Sequence, residues 1–76
     1  MSEYMQRLKS DFQEEIACTQ KYFDMAHEAE NDGMHDEAKL LRDMAKDEHS
    51  HAKHILSILD EHGMSERYMH NDINNY

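Results

Sequence analysis

Glu48 and His51 stand three positions apart, and Glu15 precedes the segment Asn31-Asp32-Gly33 by about the distance at which Glu48 follows it. Residues three apart on a helix emerge from one face with Cβ atoms about 5 to 6 Å apart, so a carboxylate and an imidazole placed this way can hold one cation. An antiparallel hairpin bent at Gly33 would bring Glu15 to the same level. Two glutamates and a histidine make half of a carboxylate-bridged two-metal centre, and a second copy of the set would complete it.

The energetics favour that chemistry. Burying an ionised carboxylate without a partner is costly even after relaxation, and a two-fold dimer would gather four glutamates at its axis. Two divalent cations balance four carboxylates while two imidazoles complete the donor set, a composition that suits iron and also manganese. The same residues admit a second reading, in which Glu15 and Glu48 reach along a bundle edge into water and His51 is a hydrogen-bonded core histidine. With nine glutamates and seven histidines in 76 residues, on the order of one Glu-x-x-His match is expected by chance. The coincidence of three core-facing positions at one level carries more weight than the match.

Two long helices must position these groups. Proline is absent, and Gly33 and Gly63 close two periodic segments. In the first, residues 3–31, the stripe runs Met5, Leu8, Phe12, Glu15, Thr19, Tyr22, Phe23, Ala26. In the second, residues 34–62, it runs Ala38, Leu41, Met44, Ala45, Glu48, His51, Ala52, Ile55, Leu59. Leu40, Leu56 and Ile58 widen this second sector beyond what one neighbour covers. Ser65-Glu66-Arg67 can open a short third helix within residues 65–76, through Tyr68, Met69 and Ile73, with Asn74-Asn75-Tyr76 fraying. The expectation is one all-α domain over residues 1–76: an antiparallel two-helix hairpin with a short C-terminal helix. A lone hairpin leaves both stripes half covered, so a homodimer forming a four-helix bundle, open to higher homo-oligomers, is the simplest assembly.

Composition narrows the partners. The net charge of -9, with no basic cluster, disfavours nucleic acid and favours divalent cations. Cys18 alone cannot close an intrachain disulfide, and no apolar run reads as a secretory signal or a membrane span, so a soluble cytoplasmic protein is expected. His49 shares a face with Arg42, Lys46 and Lys53 and reads as solvated, and His54 flanks the stripe at the bundle edge. Asp47 or a backbone carbonyl could orient the second ring nitrogen of His51.

The run from Phe12 through Glu15, Tyr22, Ala26, Glu30 and Gly33 to Ala38, Leu41, Ala45, Asp47-Glu48 and His51-Ala52 resembles the first helix pair of the rubrerythrin and ferritin-like superfamily. The resemblance implies ligand roles for Glu15, Glu48 and His51, and a hydrogen bond from Tyr22 to a ligand carboxylate, making these four the expected catalytic residues. Family members usually carry two helix pairs, whereas these residues supply one, so a homodimer would recreate the second half with two iron ions per dimer. The plan is similar to that of encapsulated ferritins, whose partner is an encapsulin shell, although residues 71–76 show no matching address segment. Rubrerythrins that reduce peroxide commonly add a rubredoxin module with paired cysteines, which Cys18 cannot supply. The implied function is iron binding with oxidation of iron(II) by oxygen or peroxide, a ferroxidase. Two alternatives stand beside it: a structural or partner-binding hairpin without catalytic metal, and an oxygen or peroxide scavenger using the same centre.

Overall fold

The computed structural model describes residues 2–76 and consists of α1 (Glu3–Asn31), α2 (His35–Glu61) and α3 (Arg67–Asn74). Ser2 caps α1: its backbone is extended and its hydroxyl oxygen accepts from the Met5 amide at 3.1 Å. Both long helices end in the same way. The Gly33 and Met34 amides donate to Glu30 and Ala29 carbonyls at 3.0 and 2.9 Å, and the Gly63 and Met64 amides donate to Asp60 and Leu59 carbonyls at 3.1 and 2.8 Å. This double bond pattern is the Schellman closure, which needs a left-handed residue at its centre. Gly33 and Gly63 supply it, with φ of 78° and 65°. Across the first turn, Glu30 holds both His35 and Arg42, and these two partners, His35 first, keep its carboxyl below its usual range.

The hairpin closes along a narrow seam. Phe12, Thr19 and Ala26 on α1 and Ala38, Ala45, Ala52 and Leu59 on α2 recur every seven residues and are almost completely buried. The small side chains in this seam let the two helices approach closely, because the contacting side chains set interaxial distance. Thr19 is the one buried polar residue of the described core, and its hydroxyl donates to the Glu15 carbonyl at 2.8 Å, one turn back.

After Gly63 the chain reverses, and α3 runs back along α2 and parallel to α1. Met69 is fully buried with Phe12, Ala52, Ile55, Leu56 and Leu59, and Ile73 packs against that cluster. The wide apolar sector of α2 is thus partly covered from within the chain, since Leu56 meets α3. The C-terminal residues do not fray as the sequence suggested. Tyr76 stacks on Phe23 with centroids 5.7 Å apart and its hydroxyl donates to Gln20 Oε1 at 2.9 Å. His49 is likewise not a solvated residue: it is half-buried, with Nε2 donating to the Ile73 carbonyl at 2.8 Å and its ring edge-on to Tyr76 at 5.5 Å.

The Cα trace measures 47 × 20 × 13 Å. No helix of the described residues is long and apolar enough to cross a membrane. A Cβ at either turn glycine would meet no neighbouring atom within 4 Å, so the cost of adding one is conformational. Gly33→Ala and Gly63→Ala should each lower unfolding free energy by about 1 to 2 kcal/mol. Urea denaturation checks this, and unchanged midpoints for both would contradict the turn assignment.

Candidate metal centre

Glu15 sits one turn before Thr19, at the edge of the seam, and the seam's close approach carries its carboxylate toward α2. There Glu48 and His51, three residues apart, meet it from the facing helix. One ligand atom from each of the three lies within 4.8 Å of the others. The burial is graded: the Glu15 side chain is 18% exposed, Glu48 is half-buried, and the His51 side chain is 57% exposed. The cluster therefore opens from the seam toward solvent.

One atom shows what the cluster lacks. Glu15 Oε2 is buried and, while both facing carboxylates are ionised, meets no hydrogen-bond donor. His51 Nδ1 lies 3.5 Å away, an ion-pair distance too long for a well-formed hydrogen bond. An acceptor withdrawn from water without a donor is costly, and such orphans call for an explanation. Two carboxylate oxygens and an imidazole nitrogen gathered within 4.8 Å of one another are the donor types a divalent iron or manganese ion takes. The three residues fit such an ion.

The electrostatics agree. The Glu15 carboxyl is pushed up to about 7, chiefly through hydrogen bonding with Glu48, then through burial and the negative charges of Glu48 and Asp11, while His51 pulls in the opposite direction. In the metal-free protein a proton takes the place a cation would occupy. Asp11 lies on the solvated flank of α1. It is exposed, yet it lies one turn before Glu15, and that four-residue spacing was the signal available for its influence.

Tyr22 is not drawn into the cluster. It is half-buried with the Lys21 ammonium 4.8 Å from its ring centroid, and among the described residues its hydroxyl bonds neither Glu15 nor Glu48. Asp47 and His54 are exposed and stand outside the group, as does Glu14.

The cluster also lies on a particular side of the hairpin. The flank of α1 away from α3 carries Tyr4, Asp11, Cys18 and Met25 at seven-residue spacing, and the matching flank of α2 carries Met44, His51 and Ile58 at the same spacing. Tyr4, Met25 and Met44 are 55%, 41% and 43% exposed, large apolar side chains left partly open to solvent. The centre sits midway along this open strip.

The family model described as Rubrerythrin matches residues 7–76, a span containing Glu15, Tyr22, Glu48 and His51. No curated protein and no solved structure matches the chain.

The raised Glu15 carboxyl makes metal-free stability depend on pH. Below about 4.5, its ordinary value, folded and unfolded chains both hold the proton and folding carries no ionisation penalty. Above that value the unfolded chain loses the proton first, and stability falls until the folded carboxyl also ionises near 7. With chelator present, melting temperature should therefore decline from pH 5 to pH 8, and Glu15→Gln should flatten the decline. Parallel curves for the two proteins would show that Glu15 is not the group responsible.

Proposed function

The chain belongs to the rubrerythrin family of the ferritin-like superfamily, whose members typically bind iron, and on that premise we propose that two copies of the hairpin share a di-iron centre at which iron(II) is oxidised. The observation that carries this reading is the orphaned Glu15 Oε2, set between Glu48 and His51 on an open flank. Three side-chain ligands from one chain leave a cation under-coordinated. A two-fold partner laid on the strip from Tyr4 to Met25 supplies three more ligands and covers the exposed Tyr4, Met25 and Met44. Two copies each of charge -9 repel, and cations at the shared face offset part of that repulsion.

In this reading iron(II) is the substrate: two ions give up one electron each, and oxygen takes the pair with two protons as hydrogen peroxide, or peroxide takes it with two protons and becomes water. The protein's own groups have separable tasks. Glu15 releases its proton when a cation arrives, Glu48 supplies the facing carboxylate, and His51, on the solvent side, contributes the imidazole nitrogen. Asp11 adds negative potential at the approach. Tyr22, two turns after Glu15 on the open strip, would reach a ligand carboxylate of the second copy rather than its own. Manganese suits the same donors, and the assembly with a larger shell or a higher homo-oligomer is left to the partner surfaces.

Anaerobic addition of iron(II), followed by metal analysis and sedimentation, should give two iron ions per two chains. Glu48→Ala should weaken binding by more than about 100-fold. When oxygen is admitted, its uptake should track iron at roughly one molecule per two ions if peroxide is the product. Undiminished iron binding in Glu48→Ala, or a monomer that takes up no iron, would instead favour the structural, partner-binding hairpin.

A further inference from the structure

The side of the hairpin opposite the open strip carries a second constellation that the metal ligands do not use. Residues of α3 and the chain end touch α1 and α2 in a graded series: Lys9 Nζ donates to Glu66 Oε1 at 3.2 Å, Gln13 Nε2 to the Tyr68 hydroxyl at 3.0 Å, and His70 Nε2 to Asp60 Oδ1 at 3.1 Å. The series ends at Tyr76, a residue 42% exposed that touches both long helices. Tyr76 stacks on Phe23 of α1, meets the edge of His49 of α2, and donates its hydroxyl to Gln20, whose amide nitrogen is itself fixed by Asp24 at 2.8 Å. His49 also holds the Ile73 carbonyl. Burial pushes the Tyr76 hydroxyl up, with Asp72 and Asp24 adding to the effect, so it stays a donor.

The level of these contacts is what gives them meaning. His49 adjoins Glu48, and Gln20 adjoins Thr19, whose hydroxyl is bonded to the Glu15 carbonyl. At that level the seam contains Thr19 and Ala45, side chains that bury little apolar area and hold the helices together weakly. On the other side stand Glu15 and Glu48, polar side chains that add no apolar contact to hold the helices together. A force spreading α1 from α2 thus meets weak local cohesion, and Tyr76 is the residue that spans both helices there.

Resting on the iron-centre reading, we propose that Tyr76 and His49 are positioning residues: a C-terminal strap that clamps α1 to α2 behind the site and holds Glu15 opposite Glu48 before a cation arrives. The strap touches no ligand. It acts through the separation of the two helices, so its loss lowers affinity by letting the carboxylates part in the metal-free state, where each new binding event must then draw them together again.

The test uses cobalt(II), whose visible absorption reports ligand number and geometry, titrated into the full chain. Tyr76→Ala and His49→Ala are each expected to weaken binding by about tenfold and to alter the cobalt band, with helix content by circular dichroism retained. Tyr76→Phe, which keeps the stack and loses only the Gln20 bond, and His49→Gln, which keeps a donor for Ile73, should restore most of the affinity. A merely structural strap would lower the melting temperature while leaving cobalt affinity and spectrum unchanged, which overturns the proposal. If Tyr76→Ala does not fold, His49→Ala compared with His49→Gln decides the matter through the cobalt band alone, an unchanged band in His49→Ala counting against the strap. Glu48→Ala separates the two layers: weakened cobalt binding there with none in the strap variants sinks the strap only, whereas intact binding in Glu48→Ala sinks the metal centre and the strap's purpose together.

Discussion

Two carboxylates facing each other across a narrow helical seam are the constraint on which the rest of this molecule depends. Glu15 and Glu48 repel when both are charged, and one oxygen of Glu15 is withdrawn from water with no donor to meet it. Folding tolerates the arrangement by keeping a proton on Glu15 well above the ordinary carboxylate range. A divalent cation bound there would relieve the same strain without a proton and would link the stability of the hairpin to its loading state.

The remaining architecture can be understood as what is needed to hold that pair in place. Small residues in the seam bring the helices close enough for the carboxylates to meet, at the cost of apolar cohesion in the middle of the hairpin. The two Schellman turns set where each helix stops, and α3 then returns along one flank, burying Met69 and pinning its end through Tyr76. One flank is consequently closed by the chain itself. The other, bearing the three candidate ligands and a row of exposed apolar side chains, remains available to a second copy.

The parts legible in the sequence were those governed by local periodicity. Helical spacing put Glu48 and His51 on one face, and the position of Gly33 set Glu15 opposite them, because a short hairpin turn leaves little freedom in register. Tertiary contacts were not legible in the same way. His49 lies among basic residues on a helical wheel, and only the return of α3 converts that face into a docking site for Ile73 and Tyr76. Asn74-Asn75-Tyr76 carries the composition of a fraying end, and its order comes from stacking on Phe23, a partner distant in the sequence. Leu56 signalled that α2 has a second neighbour, and α3 is one such neighbour from within the chain. Tyr22 occupies a ligand-like position by spacing, yet its ring lies beside the Lys21 ammonium and its hydroxyl bonds neither carboxylate.

The most direct test of this account is a crystal structure of protein loaded anaerobically with iron(II), using anomalous scattering on either side of the iron absorption edge. Two iron peaks on or beside a molecular two-fold axis, each within bonding distance of carboxylates and a His51 nitrogen drawn from Glu15, Glu48 and His51 of two chains, are the predicted result. Iron absent from that position, or an assembly in which the two copies of Glu15 face solvent on opposite sides, would contradict it.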